Sequence, residues 1–133
     1  MSGAYALSMP SVISVIDDDP YVRAAMKNML KSRGYVAHTF PSAEEFLHSA
    51  ELNDTSCVIT DVQMPKMSGF DLMAEMRGRG ALTPFILITG FPDEATHTRA
   101  LKAGACFLPK PFSTSALIKC LETALEDRGK ASA

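Results

Sequence analysis

The chain has 133 residues, 47% of them hydrophobic and 21% charged, with a formal net charge of −2 at pH 7. That length holds one domain able to bury its own core, and the near-neutral charge lacks the basic excess a polyanion partner demands, so direct nucleic-acid binding is not expected. No stretch reaches the roughly 18 apolar residues of a membrane span, and Met1 to Pro10 lacks the basic start and apolar centre of a secretory signal, so a cytoplasmic protein without membrane contact is expected.

In chain order, residues 1–10 read as a flexible N-terminal segment, 11–127 as the folded domain and 128–133 as a flexible tail. The apolar run Val12 to Ile16 predicts a buried strand that ends in Asp17, Asp18 and Asp19. Asp19 suits the cap of a first helix, Pro20 its first position and Gly34 its close, with Val22, Met26, Met29 and Leu30 at helical spacing. Tyr35 to Phe40 has the mixed polarity of an edge strand. Ser42 with Glu45 opens a short helix holding Phe46 and Leu47. Asn53 to Ser56 leads back to a central strand that ends in Asp61. Ser68 with Asp71 opens a third helix, with Phe70, Met73 and Ala74 predicted to face inward. Gly78 and Gly80 end it, and Pro84 leads into Phe85 to Ile88, a strand ending at Thr89 before Gly90.

The next helix, Asp93 to Lys102, carries only a thin apolar stripe and should be weakly anchored. After Gly104 the short run Cys106 to Leu108 precedes Lys110 and Pro111. A last helix begins near Ser113 with Leu117, Cys120, Leu121, Ala124 and Leu125 on its core face. Five strands alternating with five helices predict an α/β fold, a parallel sheet covered on both faces. Cys57, Cys106 and Cys120 lie in apolar runs without metal-ligand spacing and read as reduced packing residues. The scattered His38, His48 and His97 suggest no site.

The strand ends hold the chemistry. Ligands of open α/β sheets collect outside the carboxyl ends of the strands, and this sequence places Asp17, Asp18, Asp61, Thr89 and Lys110 there. Carboxylates crowded together either raise a pKa or recruit a cation. Magnesium suits them, since it takes one or two carboxylates and completes its shell with waters and phosphate oxygen. Asp18 and Asp61 are the candidate carboxylates. Asp61 is also a candidate nucleophile toward phosphorus, with Lys110 neutralising the phosphoryl charge and Thr89 donating a hydrogen bond to it.

Taken together, Asp17-Asp18, Asp61-Val62-Gln63-Met64-Pro65 with Gly69, Leu87-Ile88-Thr89-Gly90 and Phe107-Leu108-Pro109-Lys110-Pro111-Phe112 stand in the order and spacing of a known family. From about Val12 to Leu125 the chain resembles the receiver domain of two-component response regulators. The resemblance implies a CheY-like, flavodoxin-like doubly wound sheet in the order 2-1-3-4-5. It implies that Asp61 accepts a phosphoryl group from a histidine kinase or histidine phosphotransfer protein. It further implies Mg2+ held by Asp18, Asp61 and the backbone carbonyl of Gln63, with Asp17 acting through water, and a cis peptide between Lys110 and Pro111. Thr89 and Phe107 map to the pair that couples the site to the face of helix four, strand five and helix five. Such a protein is no enzyme beyond its own phosphoryl uptake and hydrolysis.

Two departures from the family pattern stand out. The segment Gly104 to Lys110 is one residue shorter than usual, and Phe91, two positions beyond Thr89, is expected to slow hydrolysis by shielding the site. With no room after Leu125 for an output domain, output is expected through an unknown protein partner, and activation-linked homodimerisation is a further partner reading. The residues also admit two alternatives. A haloacid-dehalogenase-like phosphatase would use Asp17 and Asp19 and leave Asp61 idle. A phosphate-independent docking module would need none of the acidic residues.

Overall fold

The computed structural model describes residues 10–132, so the expected flexible segment at residues 1–10 lies almost wholly outside the described residues, as does residue 133. The elements run β1 (Val12–Ile16), α1 (Pro20–Ser32), β2 (Val36–Phe40), α2 (Ala43–Leu47), a 3-10 turn (Leu52–Asp54), β3 (Cys57–Asp61), α3 (Gly69–Gly78), β4 (Phe85–Thr89), α4 (Glu94–Lys102), β5 (Cys106–Pro109) and α5 (Thr114–Ser132). The strands form one five-stranded sheet in the order β2-β1-β3-β4-β5, every pair parallel. This is the α/β fold expected from the sequence. The 3-10 turn was not foreseen, and α5 is helical through Ser132, past Arg128 where the sequence suggested that a flexible tail begins.

All residues of β3 and β4 are buried, as a central parallel strand with helices on both faces requires. Their side chains alternate between two cores. Val58, Phe85 and Leu87 point with Ile16 toward Phe46, Phe70, Met73 and Ala100, the layer of α2, α3 and α4. Cys57, Ile59, Ile86 and Ile88 point with Ile13 and Val15 toward Met26, Leu30, Leu117 and Leu121, the layer of α1 and α5. This period of two fixes the site, because carrying it to the ends of β3 and β4 and one step past β1 sets Asp17 and Asp61 on one side of the sheet and Thr89 on the other.

The predicted caps form. Asp19 accepts from the amide of Tyr21 at 2.9 Å and Ser42 from Glu45 at 3.1 Å, while Asp93, expected as the first residue of its helix, adds a further cap by accepting from Thr96 at 2.7 Å. Ser68 and Asp71 form a reciprocal pair at 3.1 Å each way. On α3 the inward face is Phe70, Leu72, Met73 and Met76, whereas Ala74 is exposed, a correction to the predicted face. The small side chain of Ala74 carried little phase information beside Leu72 and Met76, which take the buried positions. Helix α4 buries only Ala100 and is the thinly anchored element expected. Cys57 is buried, Cys106 and Cys120 are half-buried, and none of the three is in a disulfide. Burial and the neighbouring Cys120 thiol push Cys106 up to about 12, which keeps it a protonated packing group. No helix among the described residues is long and apolar enough to cross a membrane.

Candidate functional site

Strands β1, β3, β4 and β5 end side by side, with β1 delivering Asp17 and Asp18 at its carboxyl end and each of the others one functional side chain. The register pairs Asp61 with Ile88 and Thr89 with Pro109. The amide of Lys110 donates to the carbonyl of Thr89 at 2.8 Å, so the short connection into β5 still brings Lys110 to the site. Its peptide to Pro111 is cis.

Ligand oxygens of Asp17, Asp18 and Asp61 all lie within 4.8 Å of one another. Asp17 and Asp61 are buried and Asp18 is exposed. Lys110 Nζ lies 3.3 Å from Asp61 Oδ2 and 3.7 Å from Asp17 Oδ2, so one ammonium faces two carboxylates. The other oxygens are held by the backbone. Asp61 Oδ1 accepts from the amide of Gln63 at 3.2 Å, and Asp17 Oδ1 from the amide of Asp19 at 2.9 Å. Arg23 Nη1 donates to the carbonyl of Asp17 at 2.7 Å and fixes that turn.

Burial raises the Asp17 carboxyl above its ordinary 3.8, and the charges of Asp61 and Asp18 push the same way, against the Asp19 amide and Lys110. Three acidic side chains with one ammonium leave a net negative, all-oxygen cluster. Such a donor set fits a hard divalent cation and not a soft one. Asp19 is outside the cluster and serves as a helix cap, so the phosphatase reading, which needs it as a partner of Asp17, has no geometric support.

Thr89 is fully buried, and its hydroxyl donates to Gln63 Oε1 at 2.9 Å and accepts from the amide of Phe91 at 3.0 Å. The resemblance assigns a role only to the backbone carbonyl of Gln63. Nothing in spacing alone reveals that its side chain crosses to Thr89, because the contact depends on the loop path after Asp61. That loop includes Lys66 at a φ of 67°, an unusual conformation for a side-chain-bearing residue. The loop ends at Gly69, whose amide donates to the carbonyl of Val62 at 3.0 Å. A Cβ at Gly69 would stand 2.6 Å from the Asp61 carbonyl oxygen, so only glycine allows α3 to start this close beneath the acceptor.

Phe107 is half-buried on the side of the sheet that carries Leu87 and Thr89, and its ring stacks on His97 of α4 with centroids 4.9 Å apart. His97, dismissed on sequence as bland, therefore lies against the expected switch aromatic. Phe91 is 74% exposed. Between the β3–α3 loop and α4 lies a cavity of about 640 Å3, lined by Gln63, Met64, Ser68, Phe70, Thr96 and Arg99 among others.

Comparison with known proteins places the chain in a family. The chain is 39% identical over 114 residues to the transcriptional regulatory protein FixJ of Azorhizobium caulinodans, covering 85% of this chain and 54% of that protein. It is 37% identical over 117 residues to the response regulator protein TodT of Pseudomonas putida, covering 87% of this chain and 52% of that protein. The chain thus spans about half the length of these curated relatives. Among solved structures it superposes on FixJ-N with a TM-score of 0.79 at 34% identity, covering 89% of this chain and 95% of that one. On the Vibrio cholerae chemotaxis protein CheY4 the TM-score is 0.80 at 27% identity, covering 88% and 100%. The family model described as the response regulator receiver domain matches residues 13–122, a span that contains every residue of the strand-end cluster, and the chain belongs to that family.

Proposed function

We propose that this domain is a phosphorylation-driven receiver in which Asp61 accepts a phosphoryl group from the phosphohistidine of a histidine kinase or phosphotransfer protein. The observation that carries the reading is the placement of Asp61, with Lys110 3.3 Å from one oxygen and the carboxylates of Asp17 and Asp18 within 4.8 Å. In the transfer, an Asp61 carboxylate oxygen forms the new bond to phosphorus while the bond from phosphorus to the donor imidazole nitrogen breaks and its electron pair leaves with the imidazole. Little covalent chemistry remains for the protein, so catalysis is positioning and charge stabilisation.

Asp17, Asp18 and Asp61, with the backbone carbonyl of Gln63, would hold Mg2+, which when bound supplies positive charge to the phosphoryl oxygens. The other roles fall to the chain itself. Lys110 is placed to leave its carboxylate partners for a phosphoryl oxygen. The Gln63 amide fixes one oxygen of Asp61 and leaves the other for attack. Thr89 supplies a hydroxyl that moves to the phosphoryl group, and Phe107 follows it, shifting the face of α4, β5 and α5. A helix that buries only Ala100 gives way to a small free-energy change. That face would contact the output protein or a second copy of the chain. Uptake and hydrolysis of the phosphoryl group would be self-catalysed.

The site assignment is tested by incubating the protein with acetyl phosphate and Mg2+, reducing with borohydride and sequencing the peptides by mass spectrometry. An aspartyl phosphate is converted to homoserine, expected at position 61 alone. Homoserine elsewhere, with Asp61 intact, would contradict the assignment.

A further inference from the structure

The Thr89 hydroxyl has one proton to donate. In this structure that proton is committed to Gln63 Oε1 at 2.9 Å, while the amide of Phe91 occupies a lone pair of the same oxygen at 3.0 Å. Thr89 is fully buried, and Gln63 is exposed. The two partners therefore need the bond unequally. Water can satisfy the Gln63 amide wherever it lies, but a buried hydroxyl without an acceptor is costly. Only another acceptor can release Thr89 from Gln63.

We infer that the Gln63 side chain is a latch: it holds the Thr89 hydroxyl in its resting position and so sets the balance between the resting and switched forms of the domain. This rests on the phosphoacceptor reading above. A phosphoryl oxygen on Asp61 is the replacement acceptor, and Gln63 stands beside both groups. Its amide N–H donates to Asp61 Oδ1 at 3.2 Å while its side chain accepts from Thr89. Once displaced, the carboxamide has room, because it lines the cavity that Ser68, Thr96 and Arg99 also border. Gln63 is thus a positioning residue that acts through Thr89. Loss of its acceptor leaves Thr89 unsatisfied in the resting form alone, which favours the switched form.

The test uses beryllofluoride with Mg2+, a non-covalent stand-in for the phosphoryl group, titrated into wild type, Gln63→Met, Thr89→Ala and the double variant. Methionine keeps the length of glutamine without the acceptor, and an exposed position tolerates it. The latch predicts that Gln63→Met binds beryllofluoride about two- to tenfold more tightly than wild type, the span of one neutral hydrogen bond. In the Thr89→Ala background the same change should have no effect, since the bond is already absent. In free Gln63→Met, the Thr89 methyl resonance should move toward its position in beryllofluoride-bound wild type. Unchanged or weaker binding in Gln63→Met, or equal tightening with and without Thr89, would overturn the latch while leaving the receiver reading intact. Failure of folded wild type to bind beryllofluoride with Mg2+ would overturn both.

Discussion

Replacing Asp17 by asparagine should stabilise the metal-free protein. The Asp17 carboxylate is buried, and the pattern of charges around it is unfavourable. At an effective dielectric constant of about 20, each of the two carboxylates within 4.8 Å opposes its charge by roughly 3.5 kcal/mol, and Lys110 at 3.7 Å favours it by roughly 4.5 kcal/mol. About 2.5 kcal/mol is left against ionisation before water, which reaches Asp18 and Lys110, screens both contributions. Asparagine removes the charge and keeps an oxygen to accept from the Asp19 amide. A gain of about 1–2 kcal/mol is expected at neutral pH in chelator, read as a higher urea midpoint or a melting point raised by about 3–10 °C.

The pH dependence has a definite sign. The folded protein binds the Asp17 proton more tightly than the unfolded chain, whose carboxyl titrates near 3.8. Stability from this group is therefore complete below 3.8 and is lost as pH rises through the raised folded value. The advantage of Asp17→Asn should accordingly vanish below that range and grow across it. Added Mg2+ should stabilise wild type and do much less for the variant. A variant less stable than wild type in chelator at neutral pH would refute the electrostatic reasoning.

Three further substitutions probe α3 beneath the acceptor. Gly69→Ala would set a Cβ 2.6 Å from the Asp61 carbonyl oxygen and 3.2 Å from Thr60 Cγ2. It should cost about 1–3 kcal/mol in urea unfolding and slow phosphoryl uptake, because the strand end must move. Gly78→Ala meets nothing within 4 Å and should be neutral or stabilising by up to about 1 kcal/mol, so equal effects of the two would contradict the close-approach account. Ser68→Ala removes the α3 cap and should lower stability by about 1 kcal/mol in thermal unfolding. The bonds to Ser68 hold the Asp71 carboxyl below its ordinary 3.8, so the contribution of Asp71 is present above that value and is lost as pH falls through the depressed one. The penalty of Ser68→Ala should shrink in the same window.

Strand runs, caps and the two-residue period were legible in the sequence because they are local. Asp19 before Pro20 and Ser68 three residues before Asp71 specify helix starts without help from the rest of the chain. The strand-end set was legible for a related reason. A parallel sheet places every strand's carboxyl end on one side, so Asp17, Asp61, Thr89 and Lys110 converge once the strands are identified. What stayed hidden depends on loop paths and side-chain reach. The bond from Thr89 to Gln63 spans 26 positions, and the loop that follows turns through Lys66, whose left-handed backbone no side-chain pattern announces. The stacking of His97 on Phe107 needs the rotation of α4 about its axis, which a stripe as thin as Ala100 does not fix. The exposure of Phe91 and of Ala74 likewise follows from tertiary placement and not from hydrophobicity.

The most direct test of the central claim is the intact mass of the protein after acetyl phosphate treatment, with and without Mg2+, for wild type and Asp61→Asn. A gain of one phosphoryl group by wild type that requires Mg2+ and is absent in Asp61→Asn is predicted. Folded wild type that gains nothing from either acetyl phosphate or a phosphohistidine donor, or a gain that persists in Asp61→Asn at the wild-type level, would contradict the assignment of Asp61 as phosphoacceptor.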